Sequence, residues 1–338
     1  MAYIALYWSM MLMGYVIGSR CRSHKDRFGF IQVVMLVCVS ALVLLMGIRM
    51  GANEEVIANL ATIGIRSLLI TVILMAGTVG FVTAARKITG LDRYGRLKEQ
   101  KIETDVEYDF PASGSGMDLP EKSTAEEEKS SNLMTWLILI FTALGILIGY
   151  FAVGGYVSDI EGLNHLMGNM MTTGLCILLF FIGLEMGLSG TVAMQLKQIG
   201  FRVLVFPVAV LIGTAVMGVV ISLLFSDLSV RESLAICFGF GWYTFAPVTI
   251  SGAGYTIAGA ISFLHNVMRE LAGIVLIPVL AKRIGYIEVT SLPGVAAMDI
   301  CMPIVGKATR PDIMVYSFAI GITANLAVPL FVPLFLGI

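Results

Sequence analysis

The chain has 338 residues, of which 57% are hydrophobic and 13% charged, with 22 Lys and Arg set against 23 Asp and Glu. That balance, with a mean hydropathy of +0.89, excludes an ordinary soluble enzyme and reads as an all-α polytopic membrane protein. Five scattered cysteines (Cys21, Cys38, Cys176, Cys237, Cys301) and three histidines (His24, His165, His265) show no ligand spacing, so no metal or cofactor is expected, and no nucleic-acid partner.

The first apolar stretch, 3–19, has no basic residue before it and Arg20, Arg22, Lys25 and Arg27 after it. This predicts a first span with its N-terminus outside, not a cleaved signal. Further spans are expected at 31–48, 67–85, 134–153, 166–187, 203–225, 260–281 and 313–336, giving eight in all. Between Gly90 and Ser131 the sequence turns polar, charged and Ser/Gly-rich, as a flexible cytoplasmic linker does. The expected organisation is a three-span unit at 1–89, the linker at 90–132, a second three-span unit at 133–226 and a core at 227–338. With both termini outside, 18 Lys and Arg fall on the cytoplasmic side against Arg66 and Arg231 outside, as the positive-inside rule requires.

Residues 46–80 match 182–216 at a constant offset of 136, with 12 identities in 35 positions. Each copy holds three spans, an odd number, so the second is expected upside down relative to the first. Such inverted-topology repeats mark secondary transporters, with the binding site near the midplane. The register sets Arg49 opposite Glu185; either the two form an intramembrane ion pair across the pseudo-twofold axis, or both sit at span ends.

The 36 residues from Ser233 to Met268 carry no Asp, Glu, Lys or Arg. One continuous helix of that length would run about 54 Å, too long for a hydrocarbon core of about 30 Å. Gly239, Gly241, Pro247, Gly252 and Gly254 instead predict a broken, re-entrant segment at 235–252, followed by the span that carries Arg269 and Glu270. A second broken segment is expected at 292–305. Non-helical backbone at membrane depth is tolerated where protein or a water-filled cavity surrounds it, which points to a substrate path.

In these segments GFGWY (Gly239 to Tyr243), MRELAGIVLIP (Met268 to Pro278) and AMDICMP (Ala297 to Pro303), together with MGI (Met46 to Ile48), resemble the lysine exporter LysO family over nearly the whole chain. The resemblance implies export of L-lysine and its analogue thialysine from the bacterial cytoplasm, through eight spans of the inner membrane with both termini outside. It also implies three intramembrane acids: Glu270, Asp299 and Glu54. The chain departs from the family pattern in Arg49, in the second acid Glu55 and in the length of the linker.

Two carboxylates in a low-dielectric cavity bind an ammonium or a proton and are unstable as bare charges, so lysine and protons would compete for Glu270 and Asp299. Asn266, Tyr243, Thr244 and the freed backbone of the glycine-rich segment are candidates for binding the amino acid. Arg269 either holds its carboxylate or neutralises Glu270, although neighbours on a helix point about 100° apart. The expected mechanism is proton antiport without a cofactor, with sodium as the alternative coupling ion and another small solute as the alternative cargo. No P-loop supports ATP drive. Ser251, His265 and Asp299 could be assembled on paper as an intramembrane enzyme, but they match no catalytic motif, and an enzyme is not expected. The expected partners are lysine and the bilayer, and a homo-oligomer is compatible with this reading.

Overall fold

In lipid every backbone N–H and C=O must find a partner within the protein, so apolar runs of this length become helices. The computed structural model describes residues 2–22, 29–96, 137, 140–153, 160–190 and 201–338. In chain order the helices are α1 (Ala2–Arg20), α2 (Phe30–Gly51), α3 (Glu54–Ala58), α4 (Leu60–Ile88), α5 (Ile140–Phe151), α6 (Ile160–Ser189), α7 (Phe201–Leu224), α8 (Val230–Cys237), α9 (Ala246–Gly252), α10 (Thr256–Ile284), α11 (Tyr286–Val289), α12 (Met302–Ala308) and α13 (Met314–Leu336). The last turn of α5 widens to π winding at Gly149–Val153, and 3-10 turns lie at Gly294–Met298 and Pro311–Ile313.

The chain is a multi-pass, all-helical membrane protein. Among the described residues six helices are long and apolar enough to cross a bilayer: Phe30–Gly51, Leu60–Ile88, His165–Ser189, Arg202–Leu224, Thr256–Ile284 and Pro311–Leu336. The other two expected spans, 3–19 and 134–153, correspond to α1 and to α5, and the latter is described in part. Several helices outrun the expected spans; at 29 residues each, α4 and α10 are about 43 Å long and extend beyond the hydrocarbon core. Their outer faces are apolar. Val33 with Val37, Leu68 with Val72, Val208 with Ile212, and Val275 with Val279 are exposed pairs four residues apart, as a lipid-facing stripe requires.

Helix packing rests on small residues. A methyl on Gly14 or Gly18 of α1 would run into the carbonyls of Phe180 and Leu184 of α6, and one on Gly183 or Gly187 into those of Met11 and Tyr15. The α2–α5 pair repeats the arrangement, with Gly47 and Gly51 against Thr142 and Ile146, and Gly145 and Gly149 against Leu44 and Ile48. Without a hydrophobic driving force between helices in lipid, such close backbone approach supplies the attraction. Across α4 and α7, Gly77 faces Met217 while Gly213 faces Phe81, and the Cys38 thiol on α2 donates to the Gly174 carbonyl on α6 at 3.2 Å.

At the end of α4, residues 90–96 do not leave the bundle. The Tyr286 N–H donates to the Arg93 carbonyl at 3.0 Å, and the Tyr94 and Tyr286 rings meet edge to face at 5.3 Å. Arg86 Nε reaches buried Glu288 Oε1 at 2.5 Å, tying α4 to α11. The expected linker therefore begins with a docked turn, and its remainder, 97–132, lies outside the described residues.

Replacing Gly47 or Gly183 by Leu is expected to lower the thermal unfolding midpoint of the purified protein sharply, because the clash is with backbone. Gly80→Ala, where nothing lies within 4 Å of the added methyl, should raise stability by about 0.5–1 kcal/mol.

Candidate functional site

The site is built where two interrupted helices meet. Ser229 opens α8 through a reciprocal capping box with Glu232. The helix stops at Cys237, and the chain then turns through left-handed conformations at Phe240 (φ 47°) and Gly241 (φ 83°) before α9 restarts with Pro247 in its first turn. The second interruption runs from Gly294 (φ 70°) through the short 3-10 turn to Asp299, after which α12 begins. The tips of the two segments touch: the Val295 N–H donates to the Phe240 carbonyl at 2.8 Å. Glycine is required on both sides. A methyl on Gly241 would lie 2.8 Å from the Pro293 carbonyl, and one on Gly294 would strike that of Phe240.

α10 holds this crossing in place. Asn266 Oδ1 accepts from the Gly241 N–H at 2.7 Å, while its Nδ2 donates to the Ser262 carbonyl at 2.7 Å and to Ser262 Oγ at 3.1 Å. Fully buried Arg269 donates from Nε to the Leu292 carbonyl at 3.1 Å and from Nη2 to that of Ser291 at 3.3 Å. Its guanidinium carbon lies 5.3 Å from the centre of the Phe240 ring, a cation–π contact with the other broken segment. Both residues were candidate substrate ligands, and the structure commits them to the interrupted backbone. Arg269 forms no ion pair with Glu270, consistent with their divergent directions on the helix.

Glu270 is 8% exposed, and its carboxylate makes no hydrogen bond or ion pair among the described residues. It lies close enough to Asp299 for the two charges to interact. Asp299 Oδ1 accepts from the Ile300 N–H at 2.6 Å and remains accessible to solvent although protein surrounds it. The Tyr243 phenol and the buried Cys301 thiol interact with both acids. Thr244, one residue on, is buried without a hydrogen bond among the described residues. Glu54 is not part of this group; it is exposed in the first turn of α3, whose N-terminus Asn53 caps.

Arg49 and Glu185 are not brought together. Glu185, accessible near the C-terminal end of α6, lies within electrostatic range of Asp299. Arg49 is buried near the C-terminal end of α2, and its Nε and Nη1 have no partner. Repeat register coupled these two residues to one another and thereby hid the place of Glu185, whose signal was an acid inside the apolar run IGLEMG. Cys301 was also missed, although it lies two residues beyond Asp299 in AMDICMP. One turn before Arg269, His265 Nδ1 pairs with Thr71 Oγ1 at 2.9 Å, and Ser251 Oγ has no partner among the described residues, so Ser251, His265 and Asp299 form no relay.

Arg269→Ala leaves two buried carbonyls unpaired and removes the cation–π contact, and Asn266→Ala leaves the buried Gly241 N–H unpaired. Each is expected to destabilise the fold by about 2–5 kcal/mol, with Arg269→Lys a poor rescue because it lacks the planar fork. Fluorescence-detected size exclusion after a temperature series measures this.

The family model described as lysine exporter LysO matches residues 123–336, which include α8 to α13 and the acids Glu185, Glu270 and Asp299, while Arg49 and Glu54 fall outside it. A lysine exporter LysO of Escherichia coli K12 is 26% identical over 219 residues, covering 64% of this chain and 71% of that protein. A putative lysine exporter of Haemophilus influenzae is 30% identical over 166 residues, covering 48% of this chain and 81% of that protein. No solved structure matches the chain.

Proposed function

Because the chain belongs to the lysine exporter LysO family, we propose that it is a secondary-active exporter of L-lysine and of analogues such as thialysine, working by proton antiport in the bacterial inner membrane. The observation that carries this reading is the Glu270–Asp299 pair at the meeting point of two broken segments, with no counter-cation among the described residues. A buried carboxylate beside a second acid, with no described side chain to neutralise it, takes up either an ammonium or protons. Lysine supplies the ammonium, and exchange for protons completes a cycle. Glu185, accessible and within electrostatic reach of Asp299, is the acid placed to receive the cation first.

Export needs this coupling. Moving one positive charge outward against an inside-negative potential costs about 2.3 kcal/mol per 100 mV, and every 1.4 kcal/mol is about tenfold in concentration. A uniporter would therefore retain lysine in the cell. Return of one proton makes the exchange electroneutral, and return of two also draws on the potential.

Eight spans arranged as inverted repeats, with both termini outside, complete the proposal. Reciprocal contacts support it. Gly77 against Met217 and Gly213 against Phe81 become one another under the 136-residue offset, and Cys38 bonds to Gly174, its own counterpart in the second copy. The tips of the broken segments behave in the same way, with Gly241 against Pro293 and Gly294 against Phe240. Opposed broken segments of this kind are how transporters place a site at the midplane.

In proteoliposomes, radiolabelled lysine should follow an imposed pH gradient with or without sodium. Glu270→Gln and Asp299→Asn should abolish the flux while inserting normally, and Glu185→Gln should lower it without eliminating it. Full activity in either of the first two variants would remove the acids from the site; dependence on sodium at a clamped pH would replace the proton as coupling ion. Deletion of 105–128 should leave the flux intact.

A further inference from the structure

A cavity of about 360 Å³ lies apart from the acidic group and is lined by residues of α1, α2, α6 and α9. Tyr3 and Ile338 border it, so it sits at the end of the bundle that carries both chain termini. Its volume is within the range of small-molecule sites. Arg49 is 7% exposed and lines this space, and no Asp or Glu is among the lining residues.

Four other polar side chains around the cavity have partners among the described residues. Thr172 Oγ1 donates to the Gly168 carbonyl at 3.0 Å, Thr249 Oγ1 donates to that of Phe245 at 2.9 Å, and Asn169 Nδ2 pairs with His165 Nδ1 at 3.3 Å. The unspent capacity belongs to the guanidinium, whose Nε and Nη1 are buried without a partner. A buried guanidinium whose Nε and Nη1 have no partner among the described residues, with no Asp or Glu side chain on the described cavity wall, favours the entry of an anion.

We propose that this cavity is a carboxylate-binding site, in which Arg49 receives the α-carboxylate of the amino acid on the side of the membrane where the chain termini lie. In its identification of the cargo the inference rests on the exporter reading above. The acidic group is ill suited to that end of the cargo, since it is anionic and Nε and Nη2 of the nearby, fully buried Arg269 are held by Leu292 and Ser291. Helix α9 joins the two places: it follows the Tyr243 turn, contributes Thr249 and Gly252 to the cavity wall, and at seven residues is about 10 Å long. The charges of lysine are thus handled at two sites, an ammonium at Glu270 and Asp299 and the carboxylate at Arg49.

The test measures binding to the full chain in lipid nanodiscs with three probes: lysine, its decarboxylated counterpart 1,5-diaminopentane, and acetate. Wild type should bind lysine about tenfold or more tightly than the diamine, the scale of a charge-assisted hydrogen bond, and should bind acetate weakly. In Arg49→Gln the preference for lysine over the diamine should vanish together with acetate binding, and Arg49→Lys should restore part of both. Gly168→Leu keeps the charge while filling space 3.9 Å from Nη1, and should cause the same loss if Arg49→Gln fails to fold. An unchanged lysine-to-diamine ratio in folded Arg49→Gln or in Gly168→Leu overturns the proposal, as does a wild type that binds both probes equally. Lysine flux of the same wild-type preparation in proteoliposomes separates the two readings. Absence of flux with Arg49-dependent acetate binding sinks the cargo and keeps the site, whereas flux without Arg49 dependence does the reverse.

Discussion

The structure depends on a single requirement: two helices interrupted inside a membrane must leave no backbone group without a partner. The protein meets it by letting the interruptions complete each other. Phe240 offers the carbonyl that its own helix no longer uses, and Val295 supplies the N–H. Glycines at 241 and 294 allow the tips to approach closely enough, and the left-handed turns at these positions aim the chain back toward its own side. Once the tips are joined, Asp299 and Tyr243 are carried to one place, because each follows its tip by a few residues.

α10 is the other half of the device. Its polar residues Ser262, His265, Asn266, Arg269 and Glu270 are all buried, which for a 29-residue apolar helix means that a wide face is turned inward. Along that face the labour divides. His265 bonds to α4 through Thr71, Asn266 and Arg269 hold the broken segments, and Glu270 is left without a partner. A charge that nothing in the protein neutralises, beside a second acid, is where a mobile cation belongs. His265, Asn266 and Arg269 are thus each bound to a neighbouring segment, and among the described residues the Glu270 carboxylate is not.

The surrounding helices serve this centre by packing closely and through reciprocal contacts. Glycine seams join α1 to α6 and α2 to α5, and α4 meets α7 through reciprocal contacts. Such seams fit helices that must associate without help from water, and they leave the outer faces free for Val, Leu and Ile against lipid. The reciprocity of these contacts does not extend to charge. Arg49 and Glu185 occupy matching positions in the sequence repeat, yet one lines a cavity with Nε and Nη1 unpartnered among the described residues and the other lies within electrostatic range of Asp299.

The sequence by itself determined the class of the molecule and the places where its helices break. Both are local matters: an apolar run long enough to cross lipid becomes helical, and glycine and proline within it interrupt the ladder of i to i−4 bonds. The acids at 270 and 299 stood out for the same reason, since a charge in such a run is costly wherever it lies. What each polar residue does was decided by the tertiary structure. Asn266, Arg269 and Glu270 look alike as buried polar groups on one helix, and whether such a group holds backbone or faces cargo depends on which carbonyl or N–H another segment presents to it. That partner comes from residues more than twenty positions away for Asn266 and Arg269. Glu185 was legible as an acid but not as a neighbour of Asp299, and Arg49 as a cation but not as an unpaired one, because proximity between distant helices is set by the packing of the whole bundle.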